Sequence, residues 1–149
     1  MSCLASALYD PAVAVSKATT TAIAMTVLDI VNLRLTFTVP STGKVLVRLA
    51  GTLHGATTFP QCLFGVMNGA TIIARVPPVL GGGNNAATTL MRAEATFVVG
   101  GLTPDAVLTW DAAYGVETVV AATGLKYGGP NTATANNAFG AYQFEIWRA

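Results

Sequence analysis

One histidine, His54, stands in "GTLHGATT" at the end of a strand-like run. An imidazole there has the chemistry of a general base or a metal ligand. A base needs an oriented partner, however, and a metal needs at least two further ligands nearby. There is no second histidine, and the carboxylates Asp10, Asp29, Glu94, Asp105, Asp111, Glu117 and Glu145 are dispersed. His54 is therefore read as a surface or interface residue. "LGGGNN" at 80–85 has the glycine content of an anion-cradling loop, but neither the lysine nor the helix that such a loop requires follows it. The Gly81–Gly83 run is read as a connection.

No local carboxylate pair recommends glycoside cleavage. Trp110 beside Asp111 comes nearest to a carbohydrate-binding hint, although a Trp on an alternating strand usually serves a core or an interface. Cys3 and Cys62 are too few for a disulfide framework and lack metal-ligand spacing. The expectation is a protein with no catalytic residue, no metal and no cofactor.

The composition points towards association. Only 10% of the 149 residues are charged and 52% are apolar, against roughly 25% charged in an ordinary soluble domain. Little charge is left for a free surface, so a face buried against copies of the chain or a partner is expected. The eight Lys and Arg residues are scattered and the net charge is +1, which offers no basic face for nucleic acid. No apolar run is long enough for a membrane helix. The opening "MSCLASALYDPAVAVSKA" makes a poor signal peptide, broken by Asp10 and Pro11, so the chain is expected to stay where it is made.

The elements that must carry any site are strands. Residues 1–22 show no sustained period and read as an extended arm; residues 23–149 read as one domain. In "LRLTFTVP" Leu33, Leu35, Phe37 and Val39 alternate with polar residues, which puts them on one face of a strand. "PSTG" is a turn, and "KVLVRLAGTLHG" a second strand. "CLFGVM" and "TIIARV" flank Asn68-Gly69, a strong hairpin signal. "PPVLGGGNNAATT" is read as loop, "LMRAEATFVVGG" as a strand with Ala93, Ala95, Phe97 and Val99 on one face, and "LTPD" as a turn into "AVLTWDAAYG". A short "ETVVAA", a "TGLKYGG" segment, a loop rich in Gly and Asn and a final "AYQFEIWR" complete the chain. Eight to ten short antiparallel strands with no convincing helix predict an all-β protein, a single sandwich or barrel.

"LTFTVPSTGKVLVRLAG", "GLTPDAVLTWDAAYG", "KYGGP" and the terminal "FEIWRA", in that order over residues 33–149, resemble the jelly-roll domains of tailed-bacteriophage structural proteins. These are relatives in shape of the complement globular head and tumour-necrosis-factor modules. The stretch from Cys62 to Leu90 lies outside the likeness. The resemblance implies a jelly-roll sandwich assembled as a homotrimer on a virion, either as a capsid decoration (cement) protein on the major capsid protein or as a tail or head-fibre module for receptor or carbohydrate binding.

The arm favours decoration, because an extended segment of this length reaches across neighbouring capsomers or adds a strand to an exposed sheet edge. Its Leu4, Leu8, Tyr9, Pro11, Val13 and Val15 are expected to hold the capsid. Trp110, Tyr127, Phe139, Tyr142, Phe144 and Trp147 are expected to meet the trimer partner. Two other classes remain open: a carbohydrate-binding module using Trp110, Tyr114, Tyr127 or Trp147, and a hydrolase with a carboxylate pair assembled by the fold.

Overall fold

The computed structural model describes residues 1–18, 24–55, 62–81, 89–116, 124–130 and 138–149. Among these residues there is no helix. Twelve strands form two antiparallel sheets: β1 (Cys3–Tyr9), β2 (Val15–Ala18), β3 (Met25–Val27), β4 (Arg34–Thr38), β5 (Val45–Gly55), β6 (Cys62–Asn68), β7 (Thr71–Val76), β8 (Val79–Gly81), β9 (Thr89–Val99), β10 (Val107–Val116), β11 (Gly124–Tyr127) and β12 (Tyr142–Arg148).

The larger sheet is built on the eleven-residue strands β5 and β9, paired from Val45 opposite Val99 to Gly55 opposite Thr89. On the other side of β5, β12 and β11 lie end to end, and β1 and β2 lie end to end outside them. β8 closes the far edge against β9. In the smaller sheet β10 pairs on one side with β3 and β4, again end to end, and on the other with β6, which pairs with β7. From β4 onward the chain crosses repeatedly between sheets: β5 joins the larger, β6 and β7 the smaller, β8 and β9 the larger, β10 the smaller, β11 and β12 the larger. This is a β-sandwich, one of the two architectures expected from the alternating pattern.

The alternation also explains the core. Leu35 and Phe37 of β4, Val45, Val47, Leu49 and Leu53 of β5, Ala93 and Ala95 of β9, and Tyr142, Phe144 and Ile146 of β12 are buried between the sheets. Phe37 meets Trp110 edge-on, ring centroids 4.9 Å apart. The Asn68-Gly69 hairpin forms as its residues require, with Gly69 at φ 58°. At Pro40–Gly43 the amide of Gly43 donates to Pro40 O at 2.9 Å. Gly43 sits at φ 63°, and a Cβ there would lie 2.7 Å from Leu102 O. Space and backbone angle both demand glycine at this turn.

Two expectations change. The segment 1–22 is extended over its described part, but that part lies within the larger sheet, β1 against β12 and β2 against β11, so the domain boundary after residue 22 does not separate it from the sandwich. Outer strand edges carry unpaired N–H and C=O groups, and a small, β-branched segment satisfies them without bulky side chains. Second, the loop expected over 77–89 contains β8, whose Val79 is 77% exposed. At three residues that strand is too short to show a period. In the smaller sheet, β3 continues the lane of β4 across an intervening turn. The central glycines and asparagines of 80–85, and the segments "ETVVAA" and "NTATANN", lie outside the described residues.

Candidate functional site

The outer face of the larger sheet gathers polar side chains that the sequence scatters. Successive outward positions of β9 carry Arg92, Glu94 and Thr96, those of β5 carry Arg48 and Ala50, and those of β12 carry Gln143, Glu145 and Trp147. The pairing sets Arg48 opposite both Glu145 and Thr96, and Ala50 opposite both Gln143 and Glu94. From these positions Arg48 Nε reaches Glu94 Oε1 at 2.6 Å, and its guanidinium stands 3.9 Å from Glu145 Oε2. Gln143 Nε2 donates to Glu145 Oε1 at 2.6 Å, and Trp147 Nε1 donates to Glu145 Oε2 at 2.9 Å. The hydrogen bond from Arg48 lowers the pKa of the Glu94 carboxyl, and the same bond raises that of the guanidinium. Val79, Arg92, Glu94 and Thr96 line an open groove of about 410 Å³ beside this network.

At the end of the same face, the segment before β12 folds back over the sheet and seats Phe139. Thr52 Oγ1 donates to Phe139 O at 2.5 Å, and Arg92 Nη1 donates to Ala141 O at 2.9 Å. The His54 ring meets Phe139 edge-on at 6.1 Å, and Lys126 Nζ lies 5.2 Å from the Phe139 centroid. Burial, and then the charge of Lys126, lower the His54 pKa, which favours the neutral ring. Its Nδ1 is buried with no hydrogen-bond partner among the described residues, which gives it no oriented base partner there. Nor do three His, Cys, Asp or Glu side chains come together as metal ligands would among those residues.

Four of the six aromatics expected at a partner surface are in the interior, and a fifth is buried on the outer face. Trp110, Tyr127, Tyr142 and Phe144 are at most 1% exposed, and Phe139 is buried beside His54 and Lys126. Each of the first four falls on the inward parity of its strand, so the pattern that makes the core also takes these rings. Trp147 alone remains half-buried on the outer face. With Trp110 and Tyr127 enclosed, Tyr114 buried and only Trp147 partly open, an exposed aromatic platform on those four residues does not form. Asp111 is buried on the outer side of β10 and held by Arg34, Nε to Oδ1 at 2.6 Å and Nη2 to Oδ2 at 2.9 Å, a bidentate pair that serves the sheet.

Of the six arm residues, Leu4, Tyr9 and Val15 pack against the core. Pro11 fills the space beside Gly128, and its carbonyl accepts from Gly129 N at 2.8 Å. Leu8 and Val13 are left outward, 72% and 80% exposed.

Two apolar surfaces result. One is a row across the end of the larger sheet's outer face, formed by Cys3, Trp147, Leu46 and Val98 at matching register positions. The other lies on the flank, where β3 and β4 are separated by a turn. Asp29 Oδ1 accepts from the amides of Val31 and Asn32, both at 2.8 Å, and the turn projects Ile30 and Val31 into solvent. Leu28 N and Leu33 O bond Ala112 on either side of that turn, which fixes its base. The polar network and the Asp29 turn are not evident in the sequence because register, not spacing, assembles the first, and the second lies ahead of the alternation that begins at Leu33.

Comparison with known protein families, with curated proteins and with solved structures finds no match.

Proposed function

We propose that this chain is a virion structural protein, a capsid decoration protein that binds and stabilises a phage head as a homotrimer. The observation that carries the self-association is the pair of distinct apolar surfaces on a jelly roll so poor in charge: the Cys3–Trp147–Leu46–Val98 row on a face, and the Ile30–Val31 turn on a flank. A patch that meets a different patch makes a heterologous contact, and such contacts close into rings when the rotation permits. Burial of both surfaces supplies the driving force. The number three, the outer capsid surface and the major capsid protein as partner come from the resemblance of residues 33–149 to phage jelly rolls, with synthesis in the host bacterial cytoplasm.

Leu8 and Val13 are the arm residues open to the capsid. Sedimentation of the purified protein at micromolar concentration is expected to give a trimer, and Val98→Asp is expected to dissociate it. Co-sedimentation with expanded phage heads is expected to need Leu8 and Val13. These two are better probes than removal of residues 1–22, which would also strip β1 and β2 from the sheet. A stable monomer, or binding to heads unaffected by Leu8→Asp with Val13→Asp, refutes the corresponding half of the proposal.

A further inference from the structure

We propose that the groove between β8 and β9 on the outer face of the larger sheet binds a neutral saccharide. The proposal does not depend on the virion reading. It rests on a concentration of polar chemistry in a chain that has little: two of its eight basic and two of its seven acidic side chains, Arg48, Arg92, Glu94 and Glu145, occupy neighbouring positions on this one face. The groove beside them, about 410 Å³, falls within the roughly 300–1,000 Å³ of small-ligand sites.

The pattern of charge selects the class of ligand. Arg92, Glu94, Arg48 and Glu145 alternate in sign across the face, so an ion attracted by one is repelled by the next. A vicinal diol is suited to both, since a hydroxyl donates to a carboxylate and accepts from a guanidinium. Outward residues of β9 recur about every 7 Å, which spreads Arg92, Glu94 and Thr96 along one wall, with Val79 supplying an apolar contact opposite Glu94.

The walls are also held before any ligand arrives. Arg92 is tethered to Ala141 O and Glu94 to Arg48, and Arg48 is itself backed by Glu145, which Gln143 and Trp147 hold. A guanidinium has five N–H donors and a carboxylate about four acceptor sites, so these tethers fix direction and leave capacity for a ligand. The Arg48 and Glu94 side chains are 41% and 44% exposed. Side chains ordered in advance lower the entropic cost of binding.

The test is saturation-transfer NMR with glucose, galactose, mannose and N-acetylglucosamine at millimolar concentration, with N-acetylneuraminic acid as the charged comparison, on the full chain. At least one neutral sugar is expected to bind, with the acid excluded. Glu94→Gln and, separately, the exposed Thr96→Val are expected to weaken binding about tenfold or more for the first, where a hydrogen bond to a charged group is lost, and measurably for the second. Thr96→Val guards against a folding defect in the first variant, and Val107→Thr on the other sheet is expected to leave binding unchanged. Absence of signal from all four neutral sugars, preference for the acid, or binding indifferent to both groove variants overturns the proposal.

Discussion

The ring of Tyr142 lies across the Cα of Gly51, where a Cβ would come within 2.7 Å of ring carbon Cδ2 and 2.9 Å of Leu125 Cδ1. Gly51 occupies an inward position between Leu49 and Leu53, and its missing side chain is the seat of a fully buried tyrosine. Gly51→Ala should gain about 0.4–1 kcal/mol from a stiffer unfolded chain and lose about 1–3 kcal/mol from overpacking. The second effect wins, and chemical denaturation is expected to show a net loss of stability.

Arg34 and Asp111 form a pair of unequal exposure, the guanidinium side chain 43% open and the carboxylate 3%. Removal of Arg34 leaves an enclosed charge without its partner, whereas neutralising both removes the fault. Thermal melts are therefore expected to fall clearly for Arg34→Ala and to recover in part for Arg34→Ala combined with Asp111→Asn. Equal melting of the two variants would show that the carboxylate does not need the guanidinium.

The two thiols should differ in reactivity. Burial pushes the Cys62 thiol up to about 12, while Cys3 is exposed on the outer row. At pH 8 a disulfide reagent is expected to leave Cys62 unlabelled in the native chain and to reach it in denaturant, since the thiolate is the nucleophile; Cys3 is expected to react once the subunits are separated.

Acidification should loosen the packing around Phe139. The pKa of His54 is lowered in the fold from an ordinary 6.5, by burial first and Lys126 second. An unfolded chain therefore takes up the proton at higher pH than the folded one, and stability contributed by the neutral ring is present above pH 6.5 and lost as pH falls through the lower folded value. The melting temperature is expected to drop across that window. His54→Gln should flatten the slope, as no other histidine titrates there.

How much of this was legible in the residues depends on whether side chains or backbone carried the signal. β5, β9 and β12 were plain because Val47, Ala95 and Phe144 and their neighbours alternate with residues such as Arg48, Thr96 and Glu145. β1 was opaque because its register shifts between Cys3 and Ala5, which breaks the period of two, and because small alanines give little contrast. The same alternation could have placed Trp110 inside, since Leu108, Trp110, Ala112, Tyr114 and Val116 share a parity. The groove was not accessible to such reasoning: Arg48 and Glu94 are 46 residues apart, and only the β5–β9 register makes them neighbours.

The pairing of the first and last strands has a mechanical consequence. Arg148 N donates to Ser2 O at 2.9 Å and Cys3 stands opposite Trp147, so residues 2 and 148 meet at one corner of the sandwich. Antiparallel hydrogen bonds lie perpendicular to the strands. A force drawing these two residues apart therefore opens the β1–β12 ladder like a zip, loading one rung at a time from Cys3 towards Tyr9. A pull along the strands would instead load every rung together.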